Sequence, residues 1–131
     1  MKTHNLAKGK RKAAIARASL QQGTGKVFIN GQSLDNFANS LLRMRVSEPL
    51  FLAGSIAQKV DVAVTVNGGG ANGQADAARL AIARVLVDQN DELKKVFTDY
   101  DRLLLVADVR RKETRKPNDS KARAKRQKSY R

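Results

Sequence analysis

The chain has no cysteine and a single histidine, His4. Structural Cys-type zinc sites, disulfides, thiol nucleophiles and His-based triads are therefore excluded together. His4 sits in a polar terminal stretch and reads as an ordinary solvated side chain. No two carboxylates stand at a spacing suited to acid–base work or to a metal box, so no catalysis, metal or cofactor is expected. The start, M-K-T-H-N-L-A-K-G-K, lacks an apolar leader core, and no apolar run approaches the roughly eighteen residues of a membrane span. A cytosolic or nuclear protein is expected. Aromatic residues are only 5% of the chain, and no strand carries the paired aromatic platform that stacks single-stranded bases.

Acidic residues are the most unevenly missing of all. Residues 1–17 hold six Lys or Arg and no acid, and residues 110–131 hold eleven against Glu113 and Asp119. The middle, residues 18–109, has nine basic and ten acidic side chains, so the net charge of +14 belongs to the ends. A near-neutral globule with two cationic arms is the expectation, divided as residues 1–109, with a basic start, and an extended basic tail over residues 110–131. That tail offers only Pro117, Ala122, Ala124 and the Tyr130 ring for burial, too little to offset an ordering cost of about 1–2 kcal/mol per residue. It needs a polyanion, and nucleic acid matches such a charge density. A membrane surface fits less well, because neither arm carries the Trp, Phe or Leu anchors of an interfacial helix. The arms suit phosphate and shape rather than base identity.

Residues 9–23 have the small and β-compatible side chains of one strand, closed by Gly23-Thr24-Gly25. Residues 26–30 form a second, and the two are expected to pair as a hairpin ending at Asn30-Gly31. Ser33 suits the cap of a short helix over residues 34–37. Helical pattern resumes at residues 41–46, is interrupted at Ser47-Glu48-Pro49, and restarts with Pro49 at the first position of another short helix. Val60, Val62, Val64 and Val66 alternate strictly and turn one strand face into a core, with Asp61, Ala63 and Thr65 opposite. Residues 74–88 form the longest predicted helix, its face built from Ala78, Ile82, Val85 and Leu86. Asp91-Glu92 opens another through Leu93, Val96 and Phe97. Leu103-Leu104-Leu105-Val106 has strand length, and with the valine strand it predicts a βαβ crossover in a two-layer α+β domain.

Gly68-Gly69-Gly70-Ala71-Asn72-Gly73 satisfies G-x-G-x-x-G between a strand and a helix. A dinucleotide site is rejected: the acids about twenty residues on, Asp88, Asp91 and Glu92, sit at helix ends, and too little chain follows for a doubly wound sheet. Two readings of the glycines stay open. Bare backbone at a helix start can receive a phosphate, or the glycines only permit a tight turn with positive φ. Arg79 and Arg84, five apart on the same helix, occupy different faces. Asp35, Asp61 and Asp76 read as turn, strand-surface and first-turn residues.

Several stretches together resemble the S-nine family of small-subunit ribosomal proteins. They are Gly9-Lys10-Arg11-Lys12-Ala13-Ala14-Ile15-Ala16-Arg17-Ala18, Thr24-Gly25-Lys26-Val27-Phe28-Ile29-Asn30-Gly31, Val66-Asn67-Gly68-Gly69-Gly70-Ala71-Asn72-Gly73-Gln74-Ala75, Ala77-Ala78-Arg79 with Ile82-Ala83-Arg84, and Lys128-Ser129-Tyr130-Arg131. The last resembles the archaeal and eukaryotic branch. The resemblance implies a non-enzymatic, cytoplasmic protein of the small-subunit head, with neighbouring head proteins and small-subunit rRNA as partners. It implies a domain of the ribosomal S-five second-domain type, known for a left-handed βαβ crossover. The rRNA contacts implied are Lys8, Lys10, Arg11, Lys12 and Arg17, then Gly68, Gly69 and Gly70, then Arg79. In the tail they are Arg110, Arg111, Lys112, Arg115, Lys116, Lys121, Arg123, Lys125 and Arg126. By position, Lys128 and Arg131 are implied to reach tRNA in the peptidyl site. Where archaeal relatives carry D-P-R-R this chain has Asp108-Val109-Arg110-Arg111, which removes a rigid proline from the tail's exit. A subunit of an RNA-processing ribonucleoprotein and a DNA-compacting protein with basic tails are the competing readings.

Overall fold

The computed structural model describes residues 5–130; His4 and Arg131 lie outside them. Five strands form one sheet: β1 Asn5–Arg11, β2 Ala14–Gln22, β3 Val27–Ile29, β4 Gln32–Ser33 and β5 Val60–Asn67. Their order across the sheet is β1-β2-β5-β3-β4. Every pairing is antiparallel except β3 with β5. Three helices accompany the sheet: α1 Ser40–Ala53, α2 Ala71–Gln89 and α3 Glu92–Tyr100. The class is α+β, as the patterning predicts.

Val60, Val62, Val64 and Val66 are buried, as are Ala14, Ala16, Ala18 and Leu20 beside them on β2. Each buried valine contributes roughly 1.5–3 kcal/mol by leaving water. α2 covers this face, and Ala78, Ile82, Val85 and Leu86 are fully buried beneath it. The helix lies unusually close to β1: a Cβ on Gly9 would come 2.3 Å from the Ala77 carbonyl oxygen. Alanines at 75, 77, 78, 81 and 83, all buried, keep the helix thin enough for that approach. α1 and α3 pack onto α2, so the opposite sheet face stays open.

Several expectations are corrected. Residues 9–23 are not one strand. β1 and β2 form a hairpin around Lys12-Ala13, where Lys12 adopts φ +52° without the Gly or Asn that usually announces such a turn. The basic N-terminal stretch from Asn5 onward is thus part of the sheet and not an arm. β2 and β3 are not hairpin partners, because β5 inserts between them. Asp61 of β5 directs this: its Oδ1 accepts from the N–H groups of Thr24 (2.9 Å), Gly25 (3.1 Å) and Lys26 (2.9 Å). These bonds, led by those from Lys26 and Thr24, hold its carboxyl below its ordinary pKa.

α1 runs through Pro49 unbroken. Proline leaves the Arg45 carbonyl without its ladder bond, but Pro49 is buried and the Ser47 hydroxyl donates to the Arg43 carbonyl at 2.7 Å. Leu103-Leu104-Leu105-Val106 is not a strand, so no crossover runs from β5 to it. Residues Arg102–Leu104 form a 3-10 turn started by Asp101, whose carboxylate accepts from the Leu103 N–H at 3.0 Å. Only Leu104 of the run is fully buried. The parallel pair that does exist, β3 with β5, is joined through α1.

Asn30 extends β3 with its side chain. At φ +53° its amide oxygen accepts from the Val66 N–H (2.8 Å) and its amide N–H donates to the Val66 carbonyl (3.2 Å). Asn30→Ala removes both partners and is expected to destabilise the domain by about 1–3 kcal/mol in urea unfolding; an unchanged midpoint would show that water replaces both bonds.

Candidate nucleic-acid interface

The pleat that buries the alanines of β2 turns Ile15, Arg17 and Ser19 onto the open sheet face. The register sets Lys8 of β1 directly across from Arg17, which is in turn across from Thr65, and sets Lys10 across from Ile15. Like charges opposite each other on a sheet destabilise it. Lys8, though exposed, records the crowding: Lys10 first, then some loss of hydration, Arg17 and Arg111 all push its pKa below the ordinary lysine value. Among the described residues, no carboxylate lies within ion-pair range of Lys8, Lys10, Lys12, Arg17, Arg111 or Lys112. Such a field is offset by an external anion rather than from within.

The tri-glycine turn is exposed and adjoins the β1–β2 turn. Gly68 and Gly69 have φ of +77° and +63°, and a Cβ on Gly68 would come 2.6 Å from the Ala13 carbonyl oxygen, one on Gly69 3.0 Å from the Ala14 nitrogen. The turn is therefore pressed against the Lys12-Ala13 turn, and both glycines have a conformational and a steric reason to be there. Gly70 caps α2 and has open space where a Cβ would be. The Gln74 amide donates back to the Gly68 carbonyl at 3.1 Å and closes the turn.

Where the tail leaves the globule, Asp108 gathers the surrounding cations. Its carboxylate accepts from the Arg110 backbone N–H (3.0 Å) and guanidinium (2.6 Å), and stands 3.1 Å from Arg11 Nη1. The Arg110 side-chain and backbone bonds, with the Arg11 charge behind them, hold the Asp108 carboxyl far below the usual carboxylate range despite its burial. Because ionisation is favoured in the folded state, this contribution is complete above the ordinary Asp pKa of about 4 and is lost as pH falls into strong acid. The exit that lacks a proline is thus tied down by a carboxylate. Arg11, only 17% exposed, also faces Asp76 at 3.7 Å, and Arg45 joins that carboxylate at 3.2 Å.

Not every expected contact residue is on the open surface. Arg79 is 12% exposed and holds Glu48 at 2.6 Å and Asp101 at 3.1 Å, which ties α1 and the end of α3 to α2. Arg84 donates to the carbonyls of Leu105 (3.1 Å) and Lys8 (2.8 Å) and so clasps β1 to the approach of the tail. Sequence spacing put these arginines on different faces but carried no signal for the partners of either. Asp61 was legible only as a strand-surface acid; the Gly-Thr-Gly turn that it grips lies thirty-six residues away from it at Gly25.

Residues 110–130 form no helix or strand. The tail bends at Lys116-Pro117-Asn118-Asp119, with Asn118 at φ +67° and the Asp119 N–H donating to the Lys116 carbonyl at 3.3 Å. Proline second and a left-handed Asn third suit this turn. Glu113 pairs with Arg123 at 2.8 Å and stands 3.7 Å from Lys116. Among the described residues Arg115, Lys121, Lys125, Arg126 and Lys128 have no carboxylate partner. Arg131 lies outside the described residues.

Fold and surface define a small, basic α+β protein with cations gathered on its open sheet face and along its tail. Residues 9–131 match the model of the family described as ribosomal protein S9/S16. The small ribosomal subunit protein uS9 of Pyrobaculum aerophilum is 50% identical over 125 residues, covering 94% of this chain and 88% of its own. That of Thermoplasma volcanium is likewise 50% identical over 125 residues (94% and 95%), and that of Methanococcus vannielii 46% over 127 residues (94% and 95%). The chain belongs to the ribosomal protein S9/S16 family, and it is a structural protein rather than an enzyme.

Proposed function

We propose that this protein is a structural constituent of the small-subunit head in the cytoplasmic ribosome, binds small-subunit rRNA, and reaches the peptidyl-site tRNA with its tail. The observation that carries the rRNA reading is the carboxylate-free cluster of Lys8, Lys10, Arg17 and Arg111, four cations that the fold brings together against their own repulsion. Lys12, Arg110 and Lys112 continue that surface, and the cations of residues 115–126 extend it. Arg79, engaged by Glu48 and Asp101, supports the fold behind it. Gly68 and Gly69 shape the hairpin side, and Gly70 starts α2 beside them with its backbone open to a phosphate. The parallel β3–β5 pair, joined through α1, supports a domain of the ribosomal S-five second-domain type over residues 1–109, with residues 110–131 as its basic tail.

Lys128 and Arg131 are the residues proposed to meet tRNA phosphate. An arginine fork donates two parallel charge-assisted bonds, which suits a phosphate better than a lysine point charge does. Removing residues 128–131 is expected to leave subunit assembly intact, since most cations lie upstream. Peptidyl-site tRNA affinity should then drop about 10- to 100-fold, the equivalent of one or two charged bonds. Shortened protein that blocks assembly, or assembles and holds tRNA unchanged, would contradict the assignment.

A further inference from the structure

Between the hairpin tip and the root of the tail lies a groove of about 790 Å³ lined by Lys12, Ala13, Arg110, Arg111 and Lys112. Four of its five lining residues are cationic, none is acidic, and none offers an aromatic face or an amide that could read a base. Its two walls come from opposite ends of the sequence, and each is fixed from behind. Gly68 and Gly69 abut Ala13 and Ala14 and set the height of the Lys12 turn. Asp108 binds both the backbone and the side chain of Arg110 and reaches across to Arg11 on β1, which sets the tail root beside that turn. Lys12 itself is held at φ +52°, a conformation that disfavours any side chain with a Cβ and that Asn or Gly would occupy with less strain. Strain kept at a surface cation points to a use for that cation.

We infer that this groove is a preformed seat for the RNA phosphodiester backbone, positioned by Gly68, Gly69 and Asp108 rather than assembled from flexible side chains. This rests on the rRNA reading above and deepens it, by separating one shaped contact from the general attraction of a polycation. Arg111 links the groove to the sheet face, since its charge already bears on Lys8. Lys12, Arg111 and Lys112, with Arg110 held in place by Asp108, can meet several phosphates at once, which favours a place where RNA backbone is crowded over an isolated stretch of single strand.

Shape and bulk charge make opposite forecasts for the full chain binding small-subunit rRNA at fixed salt. Asp108→Asn raises the formal net charge from +14 to +15. A polycation would then bind as tightly or more tightly, whereas the seat, with Arg110 and Arg11 released, binds several-fold more weakly. Lys12→Asn and Lys95→Gln each remove one positive charge, but Lys95 is exposed on α3, away from the groove. Lys12→Asn is expected to weaken binding about tenfold and to lower the salt slope by about one, with a melting temperature no lower than that of the unaltered protein because Asn suits the turn. Lys95→Gln is expected to change affinity less than twofold. Equal losses for Lys12→Asn and Lys95→Gln would overturn the seat, as would Asp108→Asn binding at least as tightly as the unaltered chain. Failure of the unaltered chain to bind small-subunit rRNA at all is a different result, and it would remove the functional reading along with the seat.

Discussion

Binding of the full chain to small-subunit rRNA is expected to weaken by about 10³- to 10⁵-fold as salt rises from about 50 to about 200 mM. The estimate follows from counterion release: each phosphate neutralised frees a condensed cation, and six to ten such contacts give roughly that slope on a duplex. The surface supplies enough partners. Lys8, Lys10, Lys12, Arg17, Arg111 and Lys112 have no carboxylate in ion-pair range among the described residues, and the same is true of Arg115, Lys121, Lys125, Arg126 and Lys128 in the tail. Cations already tied to acids add less, so Arg11, Arg45, Arg79, Arg110, Lys116 and Arg123 are left out of the count. Anisotropy titrations across a salt series measure the slope directly. A nearly flat response would mean that packing or base contacts, and not this charge, hold the complex.

Phe97→Ala is expected to destabilise the domain by about 3–5 kcal/mol. Phe97 is fully buried and heads the largest side chains of the core, at the seat of α3. Truncation removes its transfer free energy and leaves a cavity that the surrounding helices can close only in part. The loss has a route outward. The Phe97 carbonyl accepts the Asp101 N–H at 2.9 Å, and the Asp101 side chain caps the 3-10 turn and holds Arg79. A midpoint lowered by roughly 15 °C in thermal melting is the expected reading for a domain near a hundred residues. A shift of only a few degrees would show that α3 is peripheral to the fold's stability.

What the sequence reveals, and what it conceals, follows from the range of each interaction. The valines of β5 and the apolar face of α2 are legible because a half-covered sheet and a covered helix impose periods of 2.0 and about 3.6 on the residues that build them. The β1–β2 turn is hidden because Lys12 takes a left-handed conformation without a turn residue's signature. The choice of β5 over β3 as partner for β2 is tertiary: local pattern makes both strands but does not order them, and the decision rests with Asp61 and the long β2–β5 register. Pro49 breaks helices in isolation, yet burial holds α1 through it. Leu103 to Val106 has the composition of a strand, but the Asp101 cap and one deeply buried leucine curl it into a 3-10 turn.

The charged surface divides the same way. A basic balance at both ends of the chain was plain from composition, while the division of labour among the arginines was not. Arg17 is a surface cation and Arg79 a structural one because acids from two other elements, Glu48 of α1 and Asp101 at the end of α3, reach the second, and among the described residues none reaches the first. The tail's bend at Pro117-Asn118 is short-range turn chemistry and visible in principle, and it shortens the reach that a fully extended tail would have.

Ultraviolet crosslinking of washed small subunits, with adducts mapped to single residues by mass spectrometry, tests the rRNA contact most directly. Ribonucleotide adducts are expected on the peptides of residues 8–17 and 110–126, with none on α3, where Lys94 and Lys95 are equally exposed cations. Adducts confined to α3, or a protein crosslinked only to protein along residues 8–17 and 110–126, would contradict it.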